Sequence, residues 1–115
     1  MKPPKKLKLA ADVWKLQYGK IPKEFREYFY EKDVELVYGC TNRSLMTIWI
    51  DTATKYDKQL PKRTMLHEIT HAMVYTFSFE HLEAADEKEI ERLSGAIYAF
   101  LMQNKPLIKW LIEEE

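Results

Sequence analysis

The sequence has few of the residues that mark several common classes of protein. It contains a single cysteine, Cys40, so no disulfide can form within the chain and a secreted, disulfide-rich scaffold is excluded. No apolar run approaches the length of a membrane span, and no apolar segment of signal-peptide length follows the basic N-terminus. We therefore expect a soluble, cytoplasmic protein with no membrane partner.

The chain also lacks an excess of charge of either sign. Its 18 Lys and Arg residues balance its 18 Asp and Glu residues, which gives a formal net charge of zero. This balance argues against a protein that binds nucleic acid through a strong positive field. Apolar residues make up 46% of the 115 residues, which is enough for one hydrophobic core. We predict a single domain over residues 9–115, preceded by a basic, solvated tail over residues 1–8.

Hydrophobic periodicity predicts strands in the first half of the chain and helices in the second, which is typical of an α+β domain. The predicted elements are, in chain order, a strand at 14–18, a short helix after Pro22 with Phe25, Tyr28 and Phe29, strands at 34–38 and 45–50 joined by a turn at 39–44, and helices from Pro61, over 86–103 and from Pro106. Ala10 and Ala11 would also suit a helix before the first strand. We expect a short antiparallel sheet of about three strands, packed on the two long helices.

The helix that begins at Pro61 carries the residues with the clearest chemistry, His67-Glu68-Ile69-Thr70-His71. Two histidines four residues apart differ by about 40° around a helix axis, so both imidazoles can point at one metal ion. Neutral imidazole is a good zinc ligand. Glu68 is rotated by roughly 100° from His67, so it can reach a water at that ion more easily than the ion itself. Two ligands beside a free carboxylate predict metal-assisted hydrolysis with Glu68 as the base.

The segment TMLHEITHAM (64–73) resembles the active-site helix of the zincin metallopeptidases. With YGCT (38–41), TIWID (47–51) and a glutamate-rich helix start, residues 34–104 resemble the very small gluzincin-like metallopeptidases of phages, prophages and other mobile elements, with distant similarity to anti-repressor proteases. The chain departs from the metzincin pattern, because Val74 and Phe77 stand where that class has glycine and histidine. The resemblance implies a small zincin-like fold.

The resemblance also implies a third zinc ligand from the second long helix. In the gluzincin pattern, a glutamate on that helix binds the ion and an acid four residues later orients a histidine; Glu87 and Glu91 have this spacing. The alternatives for the third ligand are Glu89, Glu83 and His81. Acidic residues also favour a helix N-terminus without any ligand role, because they complement the helix dipole.

The sequence thus favours a zinc-dependent metallopeptidase that cleaves a protein or peptide substrate. His67, His71 and Glu87 are the predicted metal ligands, Glu68 is the predicted general base, and Glu91 is predicted to orient a ligand histidine. The alternative is a non-catalytic binding module of phage or prophage origin that is stabilised by zinc. The two hypotheses differ in whether Glu68 is needed for a reaction.

Overall fold

A computed structural model describes residues 3–22, 38–52, 60–79 and 86–113 of the chain. The described residues form four strands, β1 (Lys6–Leu9), β2 (Asp12–Tyr18), β3 (Gly39–Asn42) and β4 (Thr47–Ile50), and three helices, α1 (Leu60–Thr76), α2 (Glu87–Gln103) and α3 (Lys105–Ile112). Strands precede helices, so the predicted α+β class is confirmed. None of these three helices combines the length and the apolar content that a membrane span requires.

The strands of the described residues form one mixed sheet in the order β1-β2-β4-β3. The pairs β1–β2 and β3–β4 are antiparallel, whereas β2 and β4 run parallel, with Leu16 opposite Ile48. The prediction of about three antiparallel strands was therefore wrong in number and in direction. It missed β1, where Leu7 and Leu9 alternate with lysines and pair with β2. Residues 6–8 thus belong to the sheet and not to a solvated tail.

The second strand is confirmed, and the residues before it do not form a helix. Trp14 and Leu16 of β2 are buried and alternate with exposed lysine and glutamine side chains, as the period of two predicted. Ala10 has a positive φ of 54° and lies in the tight turn between β1 and β2. That left-handed conformation is incompatible with a helix at this point.

The turn between β3 and β4 lies later in the chain than predicted. Gly39, Thr41 and Asn42 belong to β3, and the turn spans residues 43–46. The Asn42 side chain accepts a hydrogen bond from the backbone N–H of Leu45 at 3.0 Å, which satisfies a donor inside this turn. The predicted helix after Pro22 and residues 34–37 of the predicted strand lie outside the described residues, and Tyr38 is not in a strand.

Helix α1 packs between the sheet and α2, so one of its faces is covered by the sheet and another by α2. Its contact with the sheet completes the main core, which comprises Trp14, Leu16, Ile48, Ile50 and Ala72. The Trp14 indole N–H also donates to the Thr76 hydroxyl at 3.3 Å, which ties the last turn of α1 to β2. In α2, Ile90 is the only buried apolar residue, whereas Leu93 and Leu101 are exposed. The two long helices and their beginnings near Pro61 and Asp86 are as predicted.

Candidate metal centre

The structure brings the three predicted metal ligands together where α1 and α2 face each other. His67 Nε2 lies 2.8 Å from Glu87 Oε2, and His71 Nε2 lies 3.1 Å from Glu87 Oε1. One candidate ligand atom from each residue can be chosen so that all three lie within 4.8 Å of one another. Two imidazoles and one carboxylate therefore converge on a volume that fits a single ion.

Local helix geometry accounts for this convergence. The rings of His67 and His71 lie on one face of α1 in an edge-to-face arrangement, with centroids 5.0 Å apart and an interplanar angle of 66°. Helix α2 begins at Glu87, because the side chain of the N-cap residue Asp86 accepts a hydrogen bond from the Glu89 backbone N–H at 2.9 Å. This N-cap fixes Glu87 in the first turn of α2, where the carboxylate faces both histidines.

Glu91 occupies the position that the sequence predicted for it, one turn further along α2. Its Oε2 lies 2.6 Å from His67 Nδ1, so Glu87 and Glu91 contact the two different nitrogens of one imidazole. A carboxylate on the outer nitrogen fixes the orientation of a metal-binding histidine and makes the ring a stronger ligand. His67 is thus held in place from both sides.

The two carboxylates change the proton affinity of this histidine strongly. The hydrogen bond to Glu87, with the nearby charges of Glu68 and Glu87 and the bond to Glu91, raises the pKa of His67 to about 9 although burial opposes it. The hydrogen bonds from His67 and His71 hold the pKa of Glu87 well below its ordinary value of 4.5. In the metal-free protein, His67 is therefore an imidazolium bridging two carboxylates at neutral pH.

We expect the metal-free protein to lose stability as the pH rises from about 6.5 to about 9. A histidine with a higher pKa in the folded than in the unfolded chain stabilises the fold below its unfolded pKa of 6.5, and this contribution is lost as pH passes the folded pKa of about 9. Urea unfolding with a chelator at pH 6 and at pH 9.5 measures the effect. His67→Gln should flatten the difference, and an equal pH dependence in variant and wild type would contradict it.

Glu68 lies beneath the cluster and points into the interior. Its exposed fraction is 3%, and its Oε2 accepts a hydrogen bond from the Thr41 hydroxyl at 2.8 Å. Burial raises the pKa of Glu68 above its ordinary value, while the neighbouring His71, the Thr41 hydrogen bond and His67 act in the opposite direction. A buried carboxylate with a raised pKa suits proton transfer better than an exposed one.

A close approach of β3 to α1 puts Thr41 within reach of Glu68. The approach depends on Gly39: a Cβ added there would lie 2.6 Å from Thr64 Cγ2, 3.1 Å from Glu68 Cγ and 3.2 Å from the Trp49 carbonyl oxygen. Carbon atoms do not approach so closely without displacement of a neighbour. The glycine therefore sets the distance between β3, an edge strand of the sheet, and α1.

We expect Gly39→Ala to lower the free energy of unfolding by about 1–3 kcal/mol, since overpacking forces neighbouring groups to move. Adding Thr64→Ser removes the nearest methyl group and should restore part of the loss. Gly95→Ala is the matched control: nothing lies within 4 Å of an added Cβ there, and alanine favours a helix interior by about 0.5–1 kcal/mol. Urea denaturation checks this, and a neutral Gly39→Ala would show that the strand can move away freely.

The structure also bears on the alternatives that the sequence offered for the third metal ligand. Glu89 lies on α2 but is not in the cluster of described residues that could hold an ion, whereas Glu83 and His81 lie outside the described residues. Thr41 was missed by sequence reasoning, which assigned it to a turn. In β3 three residues are buried and Thr41 is half-buried, so no alternation marks the strand, and its turn-forming residue types favour a turn.

Comparisons with known proteins do not add a functional assignment. The chain matches no protein-family model, no curated protein and no solved structure.

Proposed function

We propose that this protein is a zinc-dependent peptidase. The observation that carries the proposal is the arrangement of four side chains: two histidines and one glutamate converge, and the fourth, the buried carboxylate of Glu68, directly follows His67 on α1. A site for structural metal alone needs only the ligands. The additional buried carboxylate is the group that hydrolysis requires.

The donor set fits zinc. Catalytic zinc sites commonly take three nitrogen and oxygen ligands from the protein and keep one position open, and two histidines with one glutamate form such a set. Hard cations such as magnesium and calcium prefer oxygen ligands instead. The carboxylate of Glu91 on the outer nitrogen of His67 is also the partner that zinc-binding histidines usually have. His67, His71 and Glu87 would hold the ion.

A zinc ion bound by such ligands lowers the pKa of a water towards about 7 and polarises a carbonyl group. In our proposal Glu68 accepts a proton from the attacking water as the oxygen bonds to the carbonyl carbon of the peptide. Glu68 then gives that proton to the leaving amine nitrogen as the C–N bond breaks. Thr41 holds the Glu68 carboxylate in place through the hydrogen bond at 2.8 Å. The carboxylate ends the cycle in its starting protonation state.

The proposed substrate class is a protein or peptide, in keeping with the resemblance of residues 34–104 to small metallopeptidases of phages and other mobile elements. A zinc-stabilised binding module is the second candidate, because the ligands come from two helices and an ion would cross-link α1 to α2. The buried Glu68 carboxylate beside the ligand histidines favours the enzyme, since a cross-link alone has no use for a proton acceptor.

Zinc-loaded protein incubated with a peptide library, with products identified by mass spectrometry, tests the proposal. Cleavage by wild type that disappears in Glu68→Gln supports a peptidase. Stoichiometric zinc without cleavage of any peptide would favour the binding module instead.

A further inference from the structure

The cleft between α1 and α2 continues past the metal cluster. Arg63, His67 and His71 follow one another at four-residue spacing, so they lie along one face of α1. On α2, Glu87, Glu91 and then Tyr98 lie opposite this face, since Glu87 contacts both histidines and the Arg63 guanidinium lies 5.8 Å from the centre of the Tyr98 ring. Arg63 thus stands one helical turn beyond the metal ligands in the same cleft.

Two cavities in this cleft share Glu91 in their walls. The first has a volume of about 440 Å³ and is lined by His67, Glu87, Lys88, Glu91 and Arg92. The second has a volume of about 240 Å³ and is lined by Arg63, Glu91, Ser94, Gly95 and Tyr98. A cavity of about 150 Å³ already holds a benzene molecule, so the second can take one amino-acid side chain. It is open because Gly95 has no side chain and nothing lies within 4 Å of an added Cβ.

The charged side chains that line the cleft differ in whether another side chain already neutralises them. The carboxylates of Glu87 and Glu91 are engaged by the histidines at 2.6–3.1 Å. Arg63, Lys88 and Arg92 form no ion pair with another residue in the part of the chain that the structure describes. With a divalent ion also present, the cleft presents positive charge to whatever enters it.

We propose that the smaller cavity binds a carboxylate of the substrate, with Arg63 as the specificity-determining residue. This inference rests on the proposed peptidase function and names its substrate class, a peptide with an acidic residue near the cleaved bond. The Tyr98 ring supports the guanidinium from one side, which leaves its planar edge able to bind a carboxylate through two hydrogen bonds. Lys88 and Arg92, beside the larger cavity, add attraction at longer range.

The position of the acidic residue follows from the helix geometry. Arg63 lies four positions before His67, which corresponds to about 6 Å along the helix axis. An extended peptide advances by about 3.3 Å per residue. The acidic side chain should therefore lie about two residues from the cleaved bond.

The test uses zinc-loaded protein and peptides that carry Glu or Gln at each of three positions on either side of the cleaved bond. Each peptide is made with a free and with an amidated C-terminus, which distinguishes a side-chain carboxylate from a terminal one. We expect kcat/KM for Glu to exceed that for Gln by about ten-fold at one position. Cleavage without any preference for an acid would overturn the inference and leave the peptidase proposal standing.

Matched variants assign the preference to the cavity. Arg63→Met should reduce the Glu-to-Gln ratio of kcat/KM to about one, and Gly95→Leu should do the same by filling the cavity. Arg43→Met is the control, because Arg43 also lies over a tyrosine ring, that of Tyr75 at 5.1 Å, but lines neither cavity. A ratio unchanged in both cavity variants would assign the preference elsewhere and overturn the inference.

A binding measurement separates this inference from the proposed reaction. Fluorescence anisotropy of a labelled Glu peptide and its Gln counterpart, on zinc-loaded Glu68→Gln protein, needs no hydrolysis. Tighter binding of the Glu peptide, lost on adding Arg63→Met, supports the cavity even if wild type cleaves nothing. Equal binding of both peptides would overturn it.

Discussion

Glu68→Gln is expected to retain zinc at the wild-type level and to lose peptide hydrolysis, with kcat/KM falling by about 10²–10⁴-fold. Glutamine has nearly the same shape as glutamate and can still bond to the Thr41 hydroxyl, so the packing beneath the cluster is preserved. It cannot accept a proton from water at any relevant pH. Because the carboxylate is 3% exposed, bulk water does not readily substitute for it.

The measurement combines metal analysis with the hydrolysis rate of a peptide that wild type cleaves. Glu89→Gln makes the same chemical change on an exposed residue of α2 outside the cluster, and it should leave both quantities unchanged. Wild-type activity in Glu68→Gln would remove the proposed base. Loss of zinc together with activity would indicate that Glu68 supports the metal and not the proton transfer.

Glu87→Gln should have the largest effect on zinc affinity among the acidic residues of α2. Its two oxygens lie 2.8 Å and 3.1 Å from the Nε2 atoms of the two histidines, so it is the carboxylate that completes the ligand set. Glu91→Gln should weaken zinc binding by about 10–100-fold, the usual effect of removing a carboxylate behind a ligand histidine. The loss in Glu87→Gln should exceed this, because the ligand itself changes.

Competition with a chromophoric zinc chelator gives the dissociation constants for this series. Glu89→Gln is again the matched control, because it lies two residues from Glu87 and thus on another side of the helix. The expected order of affinity loss is Glu87→Gln, then Glu91→Gln, then Glu89→Gln with none. A loss in Glu89→Gln equal to that in Glu87→Gln would show that the structure assigns the wrong glutamate.

The helical half of the fold could be predicted because its signals are local. Pro61 and Asp86 mark the beginnings of the two long helices, and the spacing of His67 and His71 fixes their common face within one helical turn. The facing of α1 and α2 itself came from the resemblance and not from periodicity.

The sheet could not be predicted so well because its pairing is not local. The parallel contact of β2 with β4 joins residues about 32 positions apart, such as Leu16 and Ile48. No pattern within either strand encodes that choice. In β3, the residue types favoured a turn, but pairing with β4 and packing on α1 stabilise an extended strand there. Thr41, which contacts Glu68, was missed for the same reason.

The most direct test is a crystal structure of the zinc-loaded protein with anomalous diffraction recorded at the zinc absorption edge. We predict one peak between His67 Nε2, His71 Nε2 and the Glu87 carboxylate, with a remaining coordination position open towards Glu68. A peak at another place in the chain, or a fourth protein ligand that closes this position, would contradict the assignment of a hydrolytic zinc centre.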